Sequence, residues 1–427
     1  MNLNLVNRYS EYKNSDIVWL GNIPKHWQIR RVKDLAEYQS GEYINANDFD
    51  ETNSYPVYGG NGFRGFADKY NHNGDYILIG RQGALCGNIN YASGKFWATE
   101  HAVVVYRKKN VNIKWFGEFL RVMNLNQYAL SAAQPGLSVD KVKRLELALP
   151  PLTEQNSIAS FINHHTAIID KRVSLLENKI SAYKDLAKSL INVAVCKGLN
   201  KDVPLKDSGI EWIGEIPKHW QVKRLKDVGY LYSGLSGKTG EHFNQEVSDN
   251  SQHYIPFTNI ANNKYINHED LHTVLMDENE RQNKVKKNDL FFLMSSEGFA
   301  DIGKSALLIE DVKDTYLNSF CKGYRITKKT VVPKYLNYLL NSPAFRDKFI
   351  VQGKGFTRIN LKMEKVSDFE FVIPPVEEQT AIAEHLDKKT TTIDAIVANI
   401  KLQIDSLKEL RKTLINDVVT GKLKVTE

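Results

Sequence analysis

Residues Trp19-Leu-Gly-Asn-Ile-Pro-Lys-His-Trp-Gln-Ile-Arg-Arg-Val-Lys-Asp34 recur as Trp212-Ile-Gly-Glu-Ile-Pro-Lys-His-Trp-Gln-Val-Lys-Arg-Leu-Lys-Asp227. Eleven of the sixteen positions are identical, at an offset of 193. A second block repeats too: Pro150-Pro-Leu-Thr-Glu-Gln155 matches Pro374-Pro-Val-Glu-Glu-Gln379, at an offset of 224. Self-similarity of this kind decides a fold before any local reading does. The chain is box, variable segment, Pro-Pro block and helix, then the same again. Between the blocks the two variable segments share little beyond glycine placement. A near-identical frame around unlike inserts points to one scaffold presenting two different readers. The alternative is two tandem copies that drifted apart.

After each Pro-Pro the pattern turns helical. In the second copy Ile382, Leu386, Ile393, Ile396, Ile400, Leu407, Leu410 and Leu414 fall on a heptad ladder, with Lys389 and Gln403 as interruptions. In the first, Ile158, Ile162, Ile169, Leu176, Tyr183, Leu186 and Leu190 do so, interrupted by His165, Arg172 and Lys179. Proline before the first turn and glutamate within it start helices. Gly198 and Gly421 stand where helices stop. Each helix runs about 40 residues, or roughly 60 Å at 1.5 Å per residue. A stripe that long must be buried, either on the helix's own domain or on the other copy. Two units related by a pseudo-twofold axis contribute oppositely directed helices, so an antiparallel pair is expected.

The fold expectation is therefore α+β: two globular α/β domains joined by two long antiparallel helices forming a coiled-coil spacer, with an internal pseudo-twofold repeat. The boundaries read 1–150 for the first domain and 151–198 for the first long helix. Residues 199–373 are the linker and second domain, and 374–427 the second helix. A rigid spacer that turns two domains by about 180° suits a DNA reader with two half-sites about one helical turn apart. In the first segment, Tyr55–Tyr58, Tyr76–Ile79 and His101–Tyr106 read as strands and residues 113–128 as a helix. In the second, residues 254–257, 290–293 and 305–309 read as strands and 333–340 as a helix, so both domains carry mixed or antiparallel strands.

Composition sets the outer limits. The chain has 427 residues, 42% hydrophobic and 25% charged, with a net charge of +7. Those values are globular and exclude collagen-like, disordered and disulfide-scaffold classes. No apolar run is long enough to cross a membrane, and the first residues lack a secretory apolar core. The three cysteines, Cys86, Cys196 and Cys321, form no CxxC pair. A cytoplasmic setting and no structural zinc are expected. The positive charge mildly favours a polyanion and is spread evenly over both segments, so it does not by itself mark a DNA site.

The motif Tyr55-x-Val-Tyr-Gly59 with Gly62 and Gly65, then Ile77-Leu-Ile-Gly-Arg-Gln-Gly83, then Leu149-Pro-Pro-Leu-x-Glu-Gln155, resembles the specificity subunit of type I restriction-modification enzymes. The Ile-Pro-x-His-Trp box is similar to the segment that opens each half in that family. The resemblance implies two target-recognition domains reading a split target in double-stranded DNA. It also implies docking to two methyltransferase subunits and to restriction subunits. S-adenosylmethionine, ATP and magnesium are then expected on those partners, and no cofactor in this chain. The second segment departs from the pattern by lacking the Gly-Gly-x-Gly turn of the first.

No catalytic motif stands. Asn-Pro-Pro-aromatic and His-Glu-x-x-His are absent. His164-His165 reads as helix packing. Gly60-x-Gly-x-x-Gly65 lacks the following helix that a pyrophosphate site needs. Gly298-Phe-Ala-Asp-Ile-Gly-Lys-Ser305 satisfies the P-loop letters, yet Ser305-Ala-Leu-Leu-Ile309 reads as a strand where a helix is required. A P-loop nucleotide-binding enzyme is the alternative it leaves, and a coiled-coil protein with two non-DNA ligand domains is the third. The paired Trp19/Trp27 and Trp212/Trp220 read as docking of frame to domain. Candidate base or phosphate readers are Tyr58, Asn61, Arg64, Arg81, Gln82 and Gln134 in the first domain. In the second they are Asn259, Asn262, Lys264, Ser295, Ser296, Lys304, Lys354, Arg358 and Asn360. Arg with guanine and Asn or Gln with adenine are the usual bidentate pairs, while lysine serves phosphate.

Overall fold

The computed structural model describes residues 6–52, 54–83, 85–129, 136–244, 248, 250–277, 280–298, 301–352 and 359–425. The chain divides into two compact units. The first takes residues 1–177 and 401–427; the second takes 178–400. Each long helix, Leu152–Lys197 and Val376–Val419, is continuous and contributes one stretch to each unit.

The repeated boxes build a frame in each unit. Trp27 and Trp220 are both fully buried. The Trp27 indole donates to Glu154 Oε2 at 3.1 Å, and His26 Nε2 lies 2.8 Å from the same oxygen. In the second unit Trp220 donates to Glu378 Oε2 at 2.8 Å, and His219 Nε2 sits 2.7 Å from Oε1. The next glutamine closes a second bracket. Gln155 donates to the Pro150 carbonyl at 3.0 Å and accepts from the Asn112 N–H at 2.8 Å. Gln379 donates to the Pro374 carbonyl at 2.8 Å and accepts from the Val332 N–H at 2.7 Å. The repeated His, Trp and Glu thus bond each helix start to its box. Trp19 meets Phe119 edge-on at 5.9 Å and Trp212 meets Phe345 at 4.6 Å, which docks each frame on its domain.

Each frame is completed by the end of the other copy's helix. In the first unit Ile158, Ala159 and Ile162 share a core with Ile415, Val418 and Val419. In the second, Ala194, Val195 and Cys196 share one with Ile382, Ala383 and Leu386. Within each unit, therefore, the start of one helix packs beside the end of the other. The terminal strands Val6–Asn7 and Lys424–Val425 pair antiparallel in the first unit. Gly198 and Gly421, both at φ +77°, end the helices against Trp220 and Trp27.

The apolar ladder keeps its heptad period but not its expected register. On the second helix the inward positions are Leu386, Thr390, Ile393, Val397, Ile400, Ile404, Leu407, Arg411 and Leu414. Lys389, Gln403 and Leu410 are exposed instead. On the first helix Ile169 is buried, and Val173, Leu176, Ile180, Tyr183, Ala187 and Leu190 are half-buried on the same stripe. Arg172, Lys179 and Leu186 face solvent. A helix turns every 3.6 residues and a heptad assumes 3.5, so one extra step of four near residues 165–173 resets the stripe. His165 is buried against Phe161, its ring 4.1 Å away, and burial followed by the neighbouring His164 lowers its pKa.

The variable segments, unlike in letters, share one topology. The first has a four-stranded antiparallel sheet in the order Ile89–Ala92, Tyr76–Gly80, Ala102–Arg107, Ala36–Ser40. The second has Ser305–Leu307, Leu290–Leu293, Cys321–Ile326, Gly229–Ser233 in the matching order. Beside it, Tyr55–Gly59 pairs antiparallel with Gly62–Ala67 and parallel with Lys95–Ala98. Ser251–Ile255 does the same with His272–Leu275 and Thr315–Leu317. The expectation of mixed strands holds, and at the level of topology the two inserts are copies of one domain. The helix expected over 113–128 ends at Val122, and Asn124 at φ +48° breaks it before a 3-10 turn over Leu125–Tyr128. The strand expected over 254–257 stops at Ile255, because Pro256 caps a short helix, Phe257–Asn262.

Candidate nucleic-acid interface

In the first domain three connections come together at one edge of the sheets. Thr99 N–H donates to the Tyr58 carbonyl at 2.9 Å, and Arg81 N–H to the His101 carbonyl at 2.8 Å. A Cβ on Gly80 would sit 2.1 Å from the Gly60 carbonyl oxygen, so only glycine lets these turns meet. Asn61, Arg64, Arg81 and Gln82 are exposed there. Arg81 is steadied by its own backbone bonds and by Nη1 donating to Ser40 Oγ at 3.1 Å. Gln82 bridges Gly136. Tyr58 is different: its ring meets Phe96 edge-on at 5.7 Å and serves a small core. Gln134 lies outside the described residues.

The corresponding edge of the second domain is built from the helix Phe257–Asn262, the connection after Leu293 and residues 318–320. Asn262 is exposed on it. Ser295 and Asn360 face each other across a two-residue strand pair, with Ser296 buried beside them. Other candidates are committed inside the domain. Asn259 is fully buried; its amide donates to the carbonyls of Asn267 and Asp270, each at 2.8 Å. Lys264 donates to Tyr338 Oη at 2.6 Å and to Asp387 at 3.0 Å, which ties the domain to the second long helix. Lys304 donates to Asp301 at 2.6 Å and to the Ala261 carbonyl at 3.0 Å. Asn259 thus has no exposed surface, whereas Lys264 and Lys304 are ion-paired with 32% and 34% of their side chains exposed. Lys354 and Arg358 lie outside the described residues.

The P-loop letters do not make a P-loop. Ser305 opens the strand Ser305–Leu307, and its hydroxyl donates to Asn337 at 2.9 Å. No helix N-terminus stands behind Lys304 to face a phosphate. Gly60 and Asn61 turn a hairpin between the strands Tyr55–Gly59 and Gly62–Ala67, so residues 60–65 are not a dinucleotide turn. Among the described residues no cluster of His, Cys, Asp and Glu could hold a metal ion, and no helix is long and apolar enough to cross a membrane.

Asp387 is the electrostatic centre of the second unit. Burial would raise its pKa, but hydrogen bonds from Tyr265, Lys334, Tyr338 and Lys264 outweigh that and hold the carboxyl well below the usual range. Residues the linear reading passed over are half-buried His101 and exposed Phe320, on the short turns before Ala102–Arg107 and Cys321–Ile326. Their letters carry no motif; only the shared topology brings them into correspondence.

The model of the type I restriction modification DNA specificity domain matches this chain twice, over residues 24–178 and 217–406. An EcoprrI specificity subunit from Escherichia coli is 44% identical over 138 residues, 31% of this chain. That match spans only 34% of the relative's length. A putative type I restriction enzyme specificity subunit from Haemophilus influenzae is 24% identical over 82% of this chain and 84% of its own length. Among solved structures, a chain from a type I R-M system described for its complex assembly and conformational transition has TM-score 0.70. It is 14% identical and covers 93% of this chain and 98% of that one. The HsdS subunit from Thermoanaerobacter tengcongensis has TM-score 0.52 at 14% identity and the same coverages.

Proposed function

The chain belongs to the type I restriction modification DNA specificity family, and from that premise we propose that it is the non-catalytic specificity subunit of a type I complex. It reads a bipartite double-stranded target, one half with the domain in residues 1–150 and the other with the domain in 199–373. The long helices, residues 151–198 and 374–427, brace one another as an antiparallel coiled coil and set the gap between the halves. The subunit works in the cytoplasm and docks two methyltransferase subunits and the restriction subunits. S-adenosylmethionine, ATP and magnesium belong to those partners, which do the chemistry.

One observation supports this reading above the rest: two domains share one sheet topology and carry different letters on it, with Asn61, Arg64, Arg81 and Gln82 exposed in the first and Asn262 in the second. A single scaffold with two sets of letters is what a split, asymmetric target calls for. Phosphate contacts hold such a protein in register, and base edges give the choice. The decisive experiment pairs the full chain with its methyltransferase subunits and maps methylated adenines across a genome. A two-part motif with a constant gap is expected, together with DNA affinity that falls steeply with salt. A flat salt response with no two-part motif refutes the reading. Saturable ATP binding by the chain alone that depends on Lys304 would revive the nucleotide-enzyme alternative.

A further inference from the structure

The turn that leads into the central strand of each sheet is built alike in both domains and carries unlike side chains. In the first, Thr99 N–H donates to the Tyr58 carbonyl at 2.9 Å and Ala102 N–H to the Thr99 carbonyl at 2.9 Å. The Thr99 hydroxyl accepts from the His101 N–H at 3.3 Å. In the second, Asn318 N–H donates to the Ile255 carbonyl at 3.1 Å and Cys321 N–H to the Asn318 carbonyl at 3.1 Å. There the Asn318 side chain accepts from the Phe320 N–H at 2.9 Å. Gly41 and Gly234 abut the two turns, and a Cβ on either would lie 2.2 Å from a backbone carbonyl oxygen. Thr99-Glu100-His101-Ala102 and Asn318-Ser319-Phe320-Cys321 are therefore the same device with no letter in common. His101 and Phe320 occupy one position.

The His101 side chain is 40% exposed, with Nε2 3.1 Å from Glu100 Oε1, and Phe320 is 50% exposed. Side chain and backbone hold each turn, so what it presents is fixed in place before any ligand arrives. The His101 turn is bonded to Arg81 and abuts Gly60, beside exposed Asn61. Its counterpart is bonded to Ile255, one residue ahead of the cap of the Phe257–Asn262 helix.

We infer that His101 and Phe320 are matched specificity-determining residues, one for each half of the DNA target. The His101 imidazole hydrogen-bonds a base edge in the first half. The Phe320 ring makes an apolar contact, of the kind a thymine methyl group accepts, in the second. The inference rests on the function proposed above and deepens it by naming one residue per domain that the letters alone could not pair.

The test uses the full chain with its methyltransferase subunits and the genome-wide methylated-adenine motif as readout. The wild-type complex comes first: a missing two-part motif would defeat the underlying reading rather than this assignment. With the motif in hand, His101→Ala should lose roughly tenfold or more discrimination at one base pair of one half and leave the other half untouched. Phe320→Ala should do the same in the opposite half. Phe320→Tyr keeps the ring and should keep the second half of the motif, and a normal thermal transition for Phe320→Ala separates lost contact from lost fold. A folded alanine variant of either residue whose motif matches wild type overturns the assignment, as does a uniform loss of affinity on every sequence.

Discussion

The Trp27 indole donates to Glu154 at 3.1 Å across 127 positions of sequence. It joins the opening box of the first half to the first turn of that half's long helix. Tyr9 donates its hydroxyl to the other oxygen of the same carboxylate, and His26 flanks it. Trp220 and Glu378 repeat the pair.

Removing the shared acceptor should be costly. Glu154→Leu leaves a fully buried indole N–H without its partner and is expected to cost about 2 kcal/mol. Glu154→Gln keeps an acceptor oxygen and should cost less than half of that. Urea unfolding of the two variants beside wild type measures the difference, and equal midpoints for all three would show that the bracket is ornamental.

The helix-ending glycines offer a sharper comparison. Both sit at φ +77°, where a side chain is strained by about 1 kcal/mol or more. A Cβ at Gly421 would also lie 2.4 Å from Pro24 Cδ, whereas one at Gly198 meets Trp220 at 3.2 Å. Gly421→Ala should therefore lower the melting temperature further than Gly198→Ala. The reverse order would place the closer packing at the wrong frame.

Acid should loosen the second unit before charge repulsion alone accounts for it. Asp387 has its folded pKa held below the unfolded value by Tyr265, Lys334, Tyr338 and Lys264. A depressed carboxyl contributes stability that is present above its unfolded pKa, about 4, and is lost as pH falls through the folded value. Asp387→Asn should lower stability at neutral pH and flatten the stability profile below about pH 4. A mutant profile parallel to wild type would remove Asp387 from the account.

The ladder register makes its own forecast. Ile404 is 6% exposed while Gln403 faces solvent. Ile404→Ala is expected to cost roughly 2–4 kcal/mol and Gln403→Ala within about 0.5 kcal/mol. The expected register puts Gln403 inside, so the same two proteins, compared by thermal unfolding, choose between the registers.

Much of the frame was legible in the sequence because its bonds join residues that themselves recur: His-Trp with Glu, Pro-Pro with Gln. The long helices were legible for the same reason. Their register was not, because counting anchored on strong apolar letters. Leu186 and Leu410 turn outward, while Thr390 and Arg411 turn inward, the latter toward Asp170 at 3.0 Å. The kinship of the variable segments was hidden deeper. Backbone pairing and carbonyl-to-glycine contacts make that topology, and almost any side chain satisfies them. Among the site residues, Asn61, Arg64, Arg81 and Gln82 emerge exposed at one edge. Asn259, Lys264 and Lys304 were drawn from the same polar alphabet but spend their hydrogen bonds internally.

Arg81→Ala should relax the choice of base in one half of the target and spare the other. Methylated-adenine mapping reads this directly, and a loss shared equally by all sequences would make Arg81 a backbone contact only.

The first unit needs residues 401–427, whereas the second is one unbroken stretch, 178–400. Synthesis therefore finishes the later domain before the earlier one. Until residues 401–427 are made, residues 1–177 lack Ile415, Val418 and Val419 from their core and the strand partner of Val6–Asn7, so the unit begun first cannot close before the unit begun second.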